Sequence, residues 1–185
     1  MQGAKNTLPI VYLATFFYAF HYAITLYIES SFLGKFLSTE SVGLMFTVAA
    51  FASILLIFKL PPILRKVGNY RVLITAVILE IAALFSLATV SSWEFVIFFF
   101  VLHQILLNTI YFSLTIFLES LSKDESTGGT RGVFFTIVNV AVLAGPIIAG
   151  NILRDGSYKS AFMVAGLLAV PILFLVGRNL RNFTD

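Results

Sequence analysis

The chain has 185 residues, of which 59% are hydrophobic and only 11% charged, with a mean hydropathy of +0.97. A soluble domain carries about 25% charged residues and must keep roughly 30% of its unfolded surface wet, so this composition excludes an ordinary water-soluble globule. The net charge of +3 comes with no cysteine, which excludes disulfides, thiolate chemistry and cysteine-held metals. The basic residues punctuate apolar stretches without forming the face that nucleic acid requires.

About 20 residues cross the roughly 30 Å of hydrocarbon in a bilayer, and six segments reach that length or approach it. The first spans 8–33. Its apolar run is too long for a signal-peptide core and lacks a small-x-small exit, so it reads as a retained helix. Tyr18, Tyr22, Thr25 and Glu29 recur on one face of it, with His21 beside them near mid-membrane. A polar stripe this deep faces protein or water, not lipid. It reads as the wall of a substrate path, with interhelical bonding as the alternative and Glu29 near the outer surface.

The second segment, 41–60, is expected to stop before Pro61 and Pro62, because proline removes a helix donor and disfavours helix in the residue before it. Gly68 and Asn69 supply a turn into the third, 72–90. Glu80 lies halfway along that helix. A carboxylate there needs a cation, strong hydrogen bonds or a proton, which makes Glu80 the first candidate for proton coupling. The alternative is a neutral side chain bonded to a neighbouring helix.

Ser91 and Ser92 lead into the fourth segment, 93–118, where Gln104, Asn108, Tyr111, Thr115 and Glu119 share a face. His103 lies about 100° around from Gln104 and is a second, weaker proton-handling candidate beside His21. Neither histidine belongs to an H-x-x-x-H or H-E-x-x-H pattern, so the sequence predicts no metal site. Gly128 and Gly129 fall in the longest polar loop.

The fifth segment, 132–153, carries Asn139 and a ladder of Ala141, Gly145 and Ala149, with Pro146 beside it. Small residues at four-residue intervals allow close helix packing in lipid. Asp155 and Gly156 precede the sixth segment, 161–176. The expected fold is therefore an all-α, polytopic bundle of six transmembrane helices.

Orientation follows from the basic residues. With the N-terminus inside, Lys5, Lys59, Arg65, Lys66, Arg71, Lys123, Arg131, Arg178 and Arg181 lie on the inner side, against Lys35, Arg154 and Lys159 outside. That bias predicts a multi-pass protein of the plasma or bacterial inner membrane with both termini cytoplasmic. Trp93 and Tyr158 stand where outer interfacial anchors belong. No nucleotide-binding loop and no G-x-S-x-G nucleophile is present, so neither ATP hydrolysis nor enzymatic catalysis is expected, and no cofactor is called for.

Arg131-Gly132, followed by Gly145-Pro146-Ile147-Ile148-Ala149-Gly150, resembles the fifth-helix glycine-proline motif of the major facilitator superfamily. Arg154 to Phe162 is similar to the short outer turn before its sixth helix. Residues 61–73 have the length and placement of its loop between helices two and three. Lys66, Gly68 and Leu73 fit there, Arg65 replaces an acid, Asn69 and Tyr70 replace basic residues, and Arg71 partly restores the basic cluster. Glu119 and Arg131 resemble the acid and arginine at its fourth-to-fifth loop.

The resemblance covers nearly the whole chain and implies the N-terminal half of a twelve-helix secondary transporter. It implies close packing of the fifth-helix small residues against the other half, and alternating access along a path walled by the first and fourth helices. The expected partners are the bilayer, a small solute, and a second six-helix half in a longer chain or an oligomer. Tyr18, His21, Tyr22, Thr25, Gln104, Asn108 and Asn139 are the expected path residues. Gly68, Arg71, Glu119, Arg131, Gly132, Gly145, Pro146 and Gly150 are the expected packing and conformational residues. A non-transporting membrane scaffold and a channel are the alternative readings.

Overall fold

A computed structural model describes residues 7–122, 127–155 and 157–181. It contains α1 (Leu8–Leu33), α2 (Thr39–Val67), α3 (Asn69–Thr89), α4 (Trp93–Leu121), α5 (Thr127–Ile152) and α6 (Tyr158–Asn179), with one 3-10 turn (Leu153–Asp155) before α6. All six helices are long and apolar enough to cross a membrane, and no strand occurs among the described residues.

Local chemistry sets the helix ends. Pro9 sits in the first turn of α1, where its missing donor costs nothing. The Ser38 hydroxyl accepts from the Ser41 amide to cap α2, and Arg65 and Lys66 lie in its last turn, where cations suit the helix dipole. Gly68 has φ +87°, and its amide donates to the Leu64 carbonyl at 2.8 Å. Glycine adopts that backbone without a Cβ penalty, so this one residue separates α2 from α3.

Several boundaries differ from the sequence expectation. α2 does not stop at residue 60 but runs through Pro61 and Pro62 to Val67. Both prolines are exposed, and Leu60, Ile63 and Val67 line one apolar groove with Val72 and Thr75 of α3. The helix therefore continues past two lost donors. Asn69 is no turn residue. It opens α3, is buried, and its amide donates to the Ser113 carbonyl at 3.0 Å.

α5 starts at Thr127, so Gly128, Gly129, Arg131 and Gly132 are helical. α4 and α6 also extend beyond 93–118 and 161–176, while α3 covers 69–89 in place of 72–90. Lys5, Lys123 and Gly156 lie outside the described residues.

α1 packs between α5 and α6, α3 packs between α4 and α6, and α2 leans mainly on α4. Exchanging α1–α3 with α4–α6 maps these main pairings onto one another: α1 with α5 becomes α4 with α2, and α1 with α6 becomes α4 with α3. Two buried apolar clusters fill the interior, one around Leu73, Leu107, Ile110 and Phe134, the other around Ile24, Ile28, Phe100 and Phe162.

Ala141 and Gly145 of the α5 ladder pack against α1. Ala141 contacts Ala19 and Ala23, and a Cβ at Gly145 would lie 2.8 Å from the Tyr27 ring and 3.1 Å from the Ala23 Cβ. Pro146 and Gly150 point outward. A side chain at Gly145 would separate two helices whose attraction in lipid depends on close contact.

Candidate functional site

The first, third and fourth helices each send polar side chains into the apolar interior. His21, Thr25 and Glu29 follow one another at four-residue intervals on α1 and are all buried. Glu80 of α3 and His103 of α4 are fully buried too. Lipid-exposed charge is expensive, so these groups have turned toward one another.

Glu80 Oε1 lies 2.7 Å from His21 Nε2 and 2.6 Å from His103 Nδ1. The second nitrogen of His103 lies 2.8 Å from Glu29 Oε1, and Gln104 Nε2 donates to Glu29 Oε2 at 2.6 Å. The second nitrogen of His21 faces the Tyr18 carbonyl at 3.2 Å. One line of hydrogen bonds thus joins Gln104, Glu29, His103, Glu80, His21 and the Tyr18 backbone across three helices.

Proton bookkeeping follows from the partners. Each of the four imidazole contacts pairs a nitrogen with an oxygen that accepts, so each requires a hydrogen. Two neutral imidazoles carry two. Completing the chain takes two further protons, and these also neutralise the two carboxylates. The fully bonded cluster is therefore electrically neutral, the condition under which buried ionisable groups are tolerated. Glu80 Oε2 is buried and has no hydrogen-bond partner.

Both ends of this line touch a cavity of about 300 Å³ lined by Tyr18, Tyr22, Gln104, Leu107, Asn108, Tyr111 and Val138. The Tyr18 and Tyr22 rings are stacked, with centroids 6.2 Å apart and planes 2° from parallel. The Tyr18 hydroxyl donates to the Leu107 carbonyl at 3.2 Å. Asn108 is exposed, with its amide donating to the Gln104 carbonyl at 2.8 Å and to the Ser53 hydroxyl at 3.4 Å.

The expected path residues therefore separate into three groups. Tyr18, Tyr22, Gln104 and Asn108 share the cavity, and His21 joins Glu80 and His103 in the buried cluster. Thr25 is buried and its hydroxyl donates to the Tyr22 carbonyl, whereas Asn139 is exposed and its amide donates to the Phe135 carbonyl. Glu29 is only 2% exposed and central to the network. Its place on the Tyr18–Tyr22–Thr25 stripe was the available signal, but its position toward the end of the helix suggested an interfacial acid. Tyr111 was visible on the Gln104 face and was not assigned to the path.

At the other end of the cavity wall, Arg131 Nη2 donates to Glu119 Oε1 at 2.6 Å, with both side chains about half exposed. Beside them is a smaller cavity of about 170 Å³, also lined by Tyr111 and Thr115. The pair joins α4 to α5 across their connection. Gly132 and Gly150 have open space where a side chain would sit, and Arg71 is exposed at the edge of the α2–α3 groove.

The family model for the Major Facilitator Superfamily matches residues 11–182. The chain belongs to this superfamily. No curated protein matches the chain. As a major facilitator protein it is an integral, multi-pass membrane protein with a secondary-transport role in general terms, and not an enzyme. Its six-helix bundle is consistent with the N-terminal half of the superfamily fold, and its long apolar helices make contact with the bilayer.

Proposed function

We propose that the chain forms one half of an alternating-access transporter for a small polar solute, coupled to protons. The carrying observation is that the line of hydrogen bonds running through Glu80 has both its ends, at Gln104 and Tyr18, on the wall of the 300 Å³ cavity. Tyr18, Tyr22, Gln104 and Asn108 offer the solute hydroxyl and amide groups on aromatic walls. Glu80, with His21 and His103, holds the exchangeable protons. Gln104 belongs to both systems, since it lines the cavity and donates to Glu29. A solute that drew the Gln104 amide away would leave Glu29 short of a donor and change the proton count of the cluster.

The second half is a further six-helix bundle, in a longer chain or from another copy. Rocking around a midplane site needs two bodies. The outward faces of α2 and α5 support this reading, because Phe51, Phe58, Leu143 and Ile147 are all exposed. The membrane is the plasma or bacterial inner membrane, with both termini cytoplasmic, supported by the nine basic residues on one side against three on the other.

The test is uptake by the complete assembly in sealed liposomes, using a panel of labelled sugars, amino acids and organic ions. Saturable uptake accelerated by a proton gradient is expected, with Glu80→Gln retaining uptake but losing the acceleration. Flux no greater than in empty liposomes across the panel defeats the transport reading. Non-saturating flux indicates a channel, and undiminished proton acceleration in Glu80→Gln removes Glu80 from coupling.

A further inference from the structure

The geometry points to a binding site for one divalent first-row transition-metal ion, with His21 Nε2, His103 Nδ1 and the Glu80 carboxylate as its protein ligands. This departs from the sequence expectation of no metal site, which weighed only spacing along single helices. Here the donors come from three helices, and the three ligand atoms lie within 4.8 Å of one another.

Two imidazoles and one carboxylate form a donor set suited to zinc and its neighbours, whereas calcium and magnesium prefer oxygen alone. The surrounding groups orient these donors. His103 presents its other nitrogen to Glu29 Oε1 at 2.8 Å, and His21 presents its own to the Tyr18 carbonyl at 3.2 Å. Such outer partners fix which nitrogen carries hydrogen and leave the inner nitrogen free to bind a cation. The buried Glu80 Oε2, which has no hydrogen-bond partner, supplies an additional oxygen facing no competitor.

The required movement is small. Tetrahedral ligands about 2.1 Å from a zinc ion are about 3.4 Å from each other. The present contacts to Glu80 Oε1 of 2.7 and 2.6 Å would widen by less than about 1 Å, and the two imidazole nitrogens, now within 4.8 Å of each other, would settle at about 3.4 Å, shifts that side-chain torsions can supply. A divalent cation also occupies the place of the two extra protons and leaves the cluster neutral, as expected when metal binding releases protons from its ligands.

Binding is a property of this bundle and does not depend on the transport reading. The experiment uses the full chain, purified in detergent without a histidine tag, with zinc and cobalt as probes. The expected result is one metal per chain, tetrahedral cobalt absorption, and two imidazoles in zinc X-ray absorption. The sequence contains only two histidines, so a two-imidazole signature in the monomer identifies both ligands. His21→Gln and His103→Gln abolish stoichiometric binding, and Glu29→Gln weakens it by about 10–100-fold. Ser86→Ala, half-buried on α3 and bonded only to the Ala82 carbonyl of its own helix, binds like the parent. Substoichiometric binding, fewer than two imidazoles, or unchanged binding in a folded His103→Gln variant overturns the site. Should the histidine variants fail to fold, the imidazole count on the parent chain decides alone.

Discussion

His103 holds together both buried carboxylates, since one ring nitrogen meets Glu29 and the other Glu80. His103→Ala would leave two acids in the interior with a partner removed from each. Breaking a buried ion pair in this way costs about 3–5 kcal/mol. We expect a loss of that order in equilibrium denaturation in detergent micelles. Arg131→Ala is the contrasting case. The Arg131–Glu119 pair is about half exposed on both sides, so its removal should change stability by about 1 kcal/mol or less in the same assay. The sequence marked His21, Glu80 and His103 individually, because polar groups at that depth need a reason. It could not show that three helices bring them to one oxygen. Asn139 shows the same limit: its residue type suits a pathway, but the face it presents depends on how α5 is rotated against α1.

At the scale of the helix, glycines with similar sequence surroundings have different roles. The position of a Cβ at Gly145 is already filled by Tyr27 and Ala23, and the Tyr27 hydroxyl is held by the Val142 carbonyl at 3.1 Å. Gly145→Ala should therefore cost about 1–3 kcal/mol through overpacking, with part recovered by adding Tyr27→Ala. Gly132 has open space around it. Gly132→Ala should instead stabilise the isolated chain by about 0.5–1 kcal/mol, the usual helix preference for alanine over glycine. Thermal melting of the two single variants separates the cases by opposite shifts. The prolines of α2 carry a related lesson. Their local preference opposes the helix, yet α2 continues to Val67 and ends only at Gly68, whose positive φ breaks it.

At the scale of the whole molecule, the main helix pairings repeat when the first three helices are exchanged for the second three. α2 and α5 are the corresponding outer helices of this arrangement and keep broad apolar faces uncovered. The ends of the bundle are also coherent. The Tyr12 hydroxyl donates to the Thr130 carbonyl at one end, while the Lys35 ammonium lies 4.3 Å from the centre of the Tyr158 ring at the other. Because the chain has no cysteine, single substitutions report sidedness directly. In right-side-out membrane vesicles, Ser91→Cys should react with an impermeant thiol reagent, and Lys66→Cys only after permeabilisation. The reverse pattern would invert the proposed orientation. The sequence by itself determined that this protein crosses a membrane with six helices, because hydrophobicity and length are properties of local segments that lipid reads directly. Only the tertiary structure decided which polar residues meet, which small residues pack inward and where the cavity lies. Those depend on the rotation and neighbours of each helix, set by packing among residues far apart in the chain.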